Sequence, residues 1–387
     1  LLTLLKNVEV YAPESIGMHN ILVGGGSILT LQKNEITTDA EVIDCEGRRL
    51  LPGFIDAHTH ITGGGGEAGF STRVPAPFLS QFTSAGVTSV VGVLGTDDTT
   101  RDTRSLVAQA YALREHGLGA WCHTGGYHVP ATTLTGSIRD DIVFLDPVIG
   151  VGELAISDHR SSQPTYDEIL RIAADAHVSG LITGKAGIVH LHLGDGERGL
   201  DLIRRALDDS EIPARVFNPT HVNRRKGLFE EAVLLASRGC SIDITAFPVE
   251  DDEDAWAADI ALMRYLDTGA PANKITISSD GGGCLPEFNT DGEMTKMDVG
   301  RSAALMATLR NLLEKGVPLE MVLPAVTSNV AELLRFHDCG RIKEGYRADL
   351  VLLDEKHNIV SVMVAGVWHV RDGVQQITGA FETEKER

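Results

Sequence analysis

Between about Pro52 and Arg335 the sequence alternates short apolar runs with amphipathic stretches, and this alternation limits the fold more than any other feature. Eight candidate strands fall in the interval, at 53–60, 89–95, 120–125, 148–157, 189–194, 215–221, 241–245 and 275–280. Helical patterns such as 167–176, 199–207, 228–237 and 255–268 lie between them. Strand–helix repetition of this kind makes βα units on a parallel sheet. Eight units predict an α/β fold closed as a (β/α)8 barrel of the TIM type. Two more helices are expected after the last strand, at about 299–315 and 318–335.

The two ends of the chain have a different texture. Short strands at 8–11, 21–23 and 41–44, with a Gly24-Gly25-Gly26 turn, precede the barrel. After Gly340 come further strands at 348–353, 359–364 and 367–370. The expected division is a small β-sandwich domain from residues 1–51 and 340–387, and a catalytic barrel at 52–339. With 387 residues the chain is long enough for both, since α/β barrels often exceed 250 residues as one domain.

A formal net charge of −20 argues against nucleic acid and anionic membranes as partners, because both require concentrated Lys and Arg. Hydrophobic content of 43% with a mean hydropathy of zero describes an ordinary globular chain. No apolar run approaches bilayer length and nothing at the start resembles a signal peptide. The first residue is Leu, so a few residues are expected to precede it. Five cysteines (Cys45, Cys122, Cys240, Cys284, Cys339) are dispersed without Cys-x-x-Cys pairs. That pattern reads as reduced thiols in a cytoplasmic protein. The acidic run Glu250–Asp254 precedes a helical pattern, where carboxylates suit the positive end of the helix dipole.

Chemistry concentrates at the strand ends. The first strand closes on His58-Thr59-His60. Side chains two apart on a strand share a face, so both imidazoles can reach one metal ion. Other ligand-type residues recur where barrel enzymes place their active sites. Glu153 lies in the fourth strand, His192 ends the fifth, His221 the sixth and Asp280 the eighth. His190 is expected to point away from His192 and to pack. His19, His116, His177, His337, His357 and His369 are expected at the surface, and His123, His128 and His159 beside the pocket.

With these residues the chain resembles the amidohydrolase superfamily, and the sequence Gly340–Val351 resembles that superfamily's return into its small β-domain. It is most similar to the isoaspartyl dipeptidase family, through Gly63–Gly69, Gly95-Thr96-Asp97, Gly126–Pro130, Ala155–Ser161, Thr220–Arg224 and Ser278–Gly281. The resemblance implies a centre of two zinc ions or other divalent metals. His58, His60 and Asp280 would hold one ion, His192 and His221 the other, with Glu153 bridging. Family members commonly carry a carbamylated lysine at the bridge. A carboxylate can serve there without carbon dioxide, although its shorter arm leaves metal spacing open. Lys185, in a Thr-Gly-Lys loop, is a poor replacement.

The activity implied is hydrolysis of β-aspartyl (isoaspartyl) dipeptides by a metal-bridging hydroxide. Asp280 would be general base and acid, and Tyr127 would hydrogen-bond the carbonyl oxygen. A β-aspartyl dipeptide carries one ammonium and two carboxylates. By resemblance Glu67 binds the amino group, while Arg160 and Arg224, with Thr96, bind carboxylate. Gly65 belongs to a glycine loop whose backbone can approach substrate closely. Cys284 stands where members often carry a serine, and a thiol donates weakly. The partner is thus a small dipeptide, and the family tends toward large homo-oligomers. Two alternatives remain open. One is another amidohydrolase, such as a cyclic-amide hydrolase or an N-acyl amino acid deacylase; the other is a catalytically silent scaffold.

Overall fold

The computed structural model describes residues 2–289 and 291–382; residues 1, 290 and 383–387, the first and last of which belong to the expected end ranges, lie outside the described residues. All eight expected barrel strands form. They are strand one (Phe54–Thr59), two (Val87–Gly92), three (Gly119–Thr124), four (Val148–Ile156), five (Val189–Leu193), six (Phe217–Thr220), seven (Ile242–Thr245) and eight (Ile275–Ser278). Strands one to six are hydrogen-bonded in chain order as one parallel sheet, and seven pairs with eight in parallel.

Two seams complete the circuit. Strand eight meets strand one where His60 N–H donates to the Gly281 carbonyl at 2.8 Å and Ser279 N–H donates to Asp56 at 3.1 Å. Strand six meets strand seven mainly through side chains: Thr220 donates to Asp243 at 2.7 Å, and His221 Nδ1 lies 2.7 Å from the Thr245 hydroxyl. Strands four and five are buried at every position, as expected of parallel strands covered on both faces. Helix Tyr166–Thr183 shows why the outer layer forms. Thr165 and Glu168 make a reciprocal capping box at its start, which satisfies otherwise unpaired N–H groups. Ile169, Ile172, Ala173 and Ala176 then face inward at helical spacing.

The chain ends build one continuous nine-stranded sheet. Leu2–Tyr11 lies near its middle, and Arg49–Pro52 joins Leu350–Leu353 antiparallel, with Leu51 opposite Val351. Leu5, Val8, Ile21, Leu50, Leu350 and Met363 share a core separate from that of the barrel. His369, expected at the surface, is 1% exposed; it sits in Val367–Arg371, a strand of this sheet whose Val370 belongs to the barrel's core.

Two segments depart from expectation near the barrel mouth. The helix predicted from 255 begins only at Ala258, so the acidic run lies in a loop, and Glu250 and Glu253 line a cavity there. After strand eight the chain first makes an antiparallel hairpin, Cys284–Phe288 with Met294–Val299, before helix Ala303–Glu314. The helix expected at 318–335 is broken into Leu319–Val322, a 3-10 turn containing Pro324, and Ser328–Leu334. Proline removes a donor and clashes within a helix, which accounts for the break.

Candidate active site

A cavity of about 420 Å³ opens at the carboxyl ends of the barrel strands. His60, Glu153, His192, His221 and Asp280 line its floor, and Gly65, Glu67, Thr96, Tyr127, Arg160, Arg224 and Cys284 line its wall. His58 is fully buried beneath them. The structure thus gathers every sequence-predicted site residue into one place.

Glu153 is central. Its Oε1 lies 2.5 Å from His192 Nδ1 and 3.0 Å from His221 Nε2. Its Oε2 lies 3.5 Å from His58 Nε2 and 3.8 Å from His60 Nε2. One carboxylate oxygen therefore faces each histidine pair. Asp280 Oδ1 lies 3.0 Å from His60 Nε2 and 3.5 Å from His58 Nε2. Two triads bring ligand atoms within 4.8 Å of one another, His58–Glu153–His221 and His58–His60–Asp280, and they share His58. His192 stands outside both triads. Its Nε2 instead approaches Asp158 Oδ2 at 2.9 Å.

The donor set fits divalent metal. Among the described residues, His58 Nε2, Glu153 Oε2 and Asp280 Oδ1 are buried without a hydrogen-bond partner, an expensive arrangement for ionised oxygens unless a cation meets them. Imidazole with carboxylate is the chemistry of zinc-type sites. Burial alone would lower the His58 pKa, yet Glu153 and Asp280 raise it to about 9. The two carboxylates thus favour positive charge at His58.

The wall is held by ties on loops. Thr96 donates to Glu67 Oε1 at 3.0 Å, and Arg160 Nη1 lies 3.5 Å from the same oxygen. Glu67 Oε2 is buried and has no partner among the described residues. Arg224 donates to the Leu193 carbonyl at 2.7 Å and lies 3.3 Å from Asp195. The Tyr127 hydroxyl is 2.8 Å from His192 Nδ1; burial and Glu153 raise its pKa well above the ordinary value, so it stays a hydrogen-bond donor. Burial likewise pushes the Cys284 thiol up to about 11, which leaves it protonated at neutral pH. Lys185 is elsewhere, donating to the Ile142 and Leu145 carbonyls.

Several important neighbours escaped the sequence reading. Asp158 grips Arg160 by two bonds, at 2.7 and 3.1 Å. Burial would raise its pKa, but bonds from His192 and Arg160 hold it well below the carboxylate range. Arg101 is buried and donates to the carbonyls of Gly64, Gly65 and Val74, pinning the glycine loop; its Asp97 partner at i−4 was the available signal. The hairpin adds Leu285, Pro286 and Phe288 to the cavity. His190 is a correction: it points into the barrel, with Nε2 2.8 Å from His58 Nδ1. Residues two apart on strand five share a face, so His190 follows His192 inward. His123 is also buried in the interior, while His128 is half-exposed and paired with Asp98.

A parallel eight-stranded barrel with histidine and carboxylate converging at its strand ends defines a class of metal-dependent hydrolases, and the amidohydrolase family profile matches residues 49–369. Two solved structures of a β-aspartyl dipeptidase from the thermophilic, keratin-degrading Fervidobacterium islandicum AW-1 are similar over nearly the whole chain. One, in complex with the β-Asp-Leu dipeptide, is 43% identical with a TM-score of 0.94, covering 98% of this chain and 99% of that one. The other is 42% identical with a TM-score of 0.90, covering 99% and 100%. A dihydroorotase from Aquifex aeolicus is 25% identical over 399 residues, covering 91% of this chain and 89% of its own. The chain belongs to the amidohydrolase family, within it to the isoaspartyl dipeptidase family, and is a hydrolytic enzyme of the dipeptidase kind.

Proposed function

We propose that this protein hydrolyses β-aspartyl dipeptides at a centre of two divalent metal ions, zinc by family resemblance. The observation that carries the reading is the charge arrangement above the floor. Glu67 offers a buried oxygen without a partner among the described residues, in the same cavity as the guanidinium groups of Arg160 and Arg224. One acid and two arginines complement one ammonium and two carboxylates.

His58, His60 and Asp280 would hold one ion and His192 and His221 the other, with Glu153 offering one oxygen to each. Bound there, metal supplies Lewis acidity, which lowers the pKa of water and polarises a carbonyl. The chain's own groups do the rest. Glu67 takes the free α-amino group, and Arg160 and Arg224, with Thr96, take carboxylate. The backbone of the glycine loop at Gly65 sets the depth of entry, and Cys284 borders the second residue. The Tyr127 hydroxyl donates to the carbonyl oxygen as charge develops. Asp280 accepts a proton from water and returns it to the leaving amine, one carboxylate serving as base and then acid.

The test is kcat/KM for β-Asp-Leu against α-Asp-Leu, on protein whose metal content has been counted. A preference for the β-linked peptide of at least about 10²-fold is expected, rising toward about 10⁴-fold where the site's buried polar groups are left unpaired. Equal handling of the two would overturn the substrate assignment. No turnover of either with two ions bound would move the activity to another amide.

A further inference from the structure

Below the ligand-type residues the barrel interior holds two more buried imidazoles, His190 on strand five and His123 on strand three. Strand four makes room for them with glycine. A Cβ on Gly152 would fall 2.4 Å from the His190 carbonyl oxygen, and one on Gly150 would fall 2.9 Å from His123 Nδ1. His190 stands in a row of polar contacts. Its Nε2 lies 2.8 Å from His58 Nδ1 and its Nδ1 lies 2.7 Å from Asn218 Oδ1, on strand six. Asn218 Nδ2 lies 2.8 Å from the Ser241 carbonyl oxygen.

Donors along the row follow from its far end. A backbone carbonyl only accepts, so the Asn218 amide nitrogen donates to Ser241 and turns Oδ1 toward His190. That oxygen also only accepts, so His190 Nδ1 carries the hydrogen. With that hydrogen placed on Nδ1, the single-hydrogen form of the imidazole has only its Nε2 lone pair to offer across the 2.8 Å contact with His58 Nδ1. His190 Nε2 is therefore the acceptor, and His58 Nδ1 donates to it. Once the ring gives up its second proton, as a metal ligand must, the lone pair of His58 is on Nε2, the atom 3.5 Å from both Glu153 Oε2 and Asp280 Oδ1.

We propose that His190 and Asn218 are positioning residues that fix the tautomer of His58, so that the residue common to both triads presents Nε2 to metal. The inference rests on the metal-centre part of the function proposed above. With the opposite tautomer, Nε2 would carry a hydrogen and could not ligate, and both triads would lose their shared member together. Partners that orient a ligating histidine are typically worth about 10–100-fold in metal affinity.

The experiment uses the full chain, loaded with zinc and titrated against a chromogenic chelator, and the absorption spectrum of its cobalt(II) form. Circular dichroism checks the fold of each variant. His190→Leu removes the acceptor, whereas His190→Gln keeps an oxygen within reach. Asn218→Leu and Asn218→Asp make the same contrast one step further along. Both leucine variants are expected to hold zinc about 10–100-fold more weakly and to alter the cobalt spectrum, while the Gln and Asp variants keep most of the affinity. Leucine variants that hold zinc as the parent does would overturn the proposal. So would a Gln variant as weak as the leucine one, which would make the role one of packing. Where His190→Leu does not fold, the Asn218 pair decides. A parent chain that binds no zinc would instead defeat the metal-centre reading itself.

Discussion

The floor and the wall of the cavity are made in different ways. Every floor residue (His58, His60, Glu153, His192, His221 and Asp280) sits on or just beyond a barrel strand and is at most 7% exposed. Glu67, Thr96, Arg160 and Arg224 lie beyond the strands, on loops and a 3-10 turn, and are partly exposed; Arg160 donates to Asp158, and Arg101 pins the glycine loop. The barrel fixes the floor, and loop chemistry fixes the wall. In barrels of this kind the reaction type travels with the strand ends and substrate choice with the loops.

Three substitutions probe that division, in decreasing order of effect. Asp280→Ala strikes the floor and should lower kcat by about 10⁴-fold, the upper range for a group transferring protons, with little change in thermal unfolding. Activity within tenfold of the parent would remove Asp280 from the chemistry. Tyr127 stands where the two regions meet, its hydroxyl on His192 and its ring beneath Arg160 at 5.5 Å. Tyr127→Phe should cost about 10²–10³-fold in kcat with KM nearly unchanged; a change confined to KM would make it a wall residue. Glu67→Gln touches the wall alone. It should reduce kcat/KM for β-Asp-Leu by about 10–100-fold, as expected for a lost charge-assisted bond, and spare the N-acetylated peptide. Equal losses on both peptides would mean that Glu67 supports the loop rather than the amine.

The same division explains what could be read from sequence. Floor residues are legible because period-two strands dictate their direction: His58 and His60 converge on Asp280 and Glu153 as a strand end requires. Eight apolar runs likewise suffice for the barrel, since burial on both faces leaves a plain hydrophobic signature. His190 was misread although it obeys the same period, and the structure turns it inward to His58. Wall residues carry no periodic signal. Glu67, Arg160 and Arg224 were found through motifs shared with a family, and Asp158 and Arg101, which hold loops in place, were passed over. The hairpin Cys284–Phe288 with Met294–Val299 was missed because it interrupts the strand–helix rhythm where a helix was expected. The helix onset at Ala258 likewise turned an anticipated dipole cap into part of the cavity rim.

The sheet formed by the chain ends has a consequence for how the molecule is made. Leu51 pairs with Val351, so the residue facing Leu51 is synthesised only after the whole barrel sequence has been made. At about 5–20 residues per second this is a wait of roughly 15–60 s. Meanwhile the edge of Arg49–Pro52, leading directly into strand one, has no Leu350–Leu353 beside it. A ribosome-bound chain stopped before residue 350 would carry an open, apolar sheet edge beside an otherwise complete set of barrel strands, a natural place for a chaperone to bind. Pairing of Leu350–Leu353 closes that edge, and Ile359–Val364, Val367–Arg371 and Val374–Gln375 then extend the sheet outward in turn.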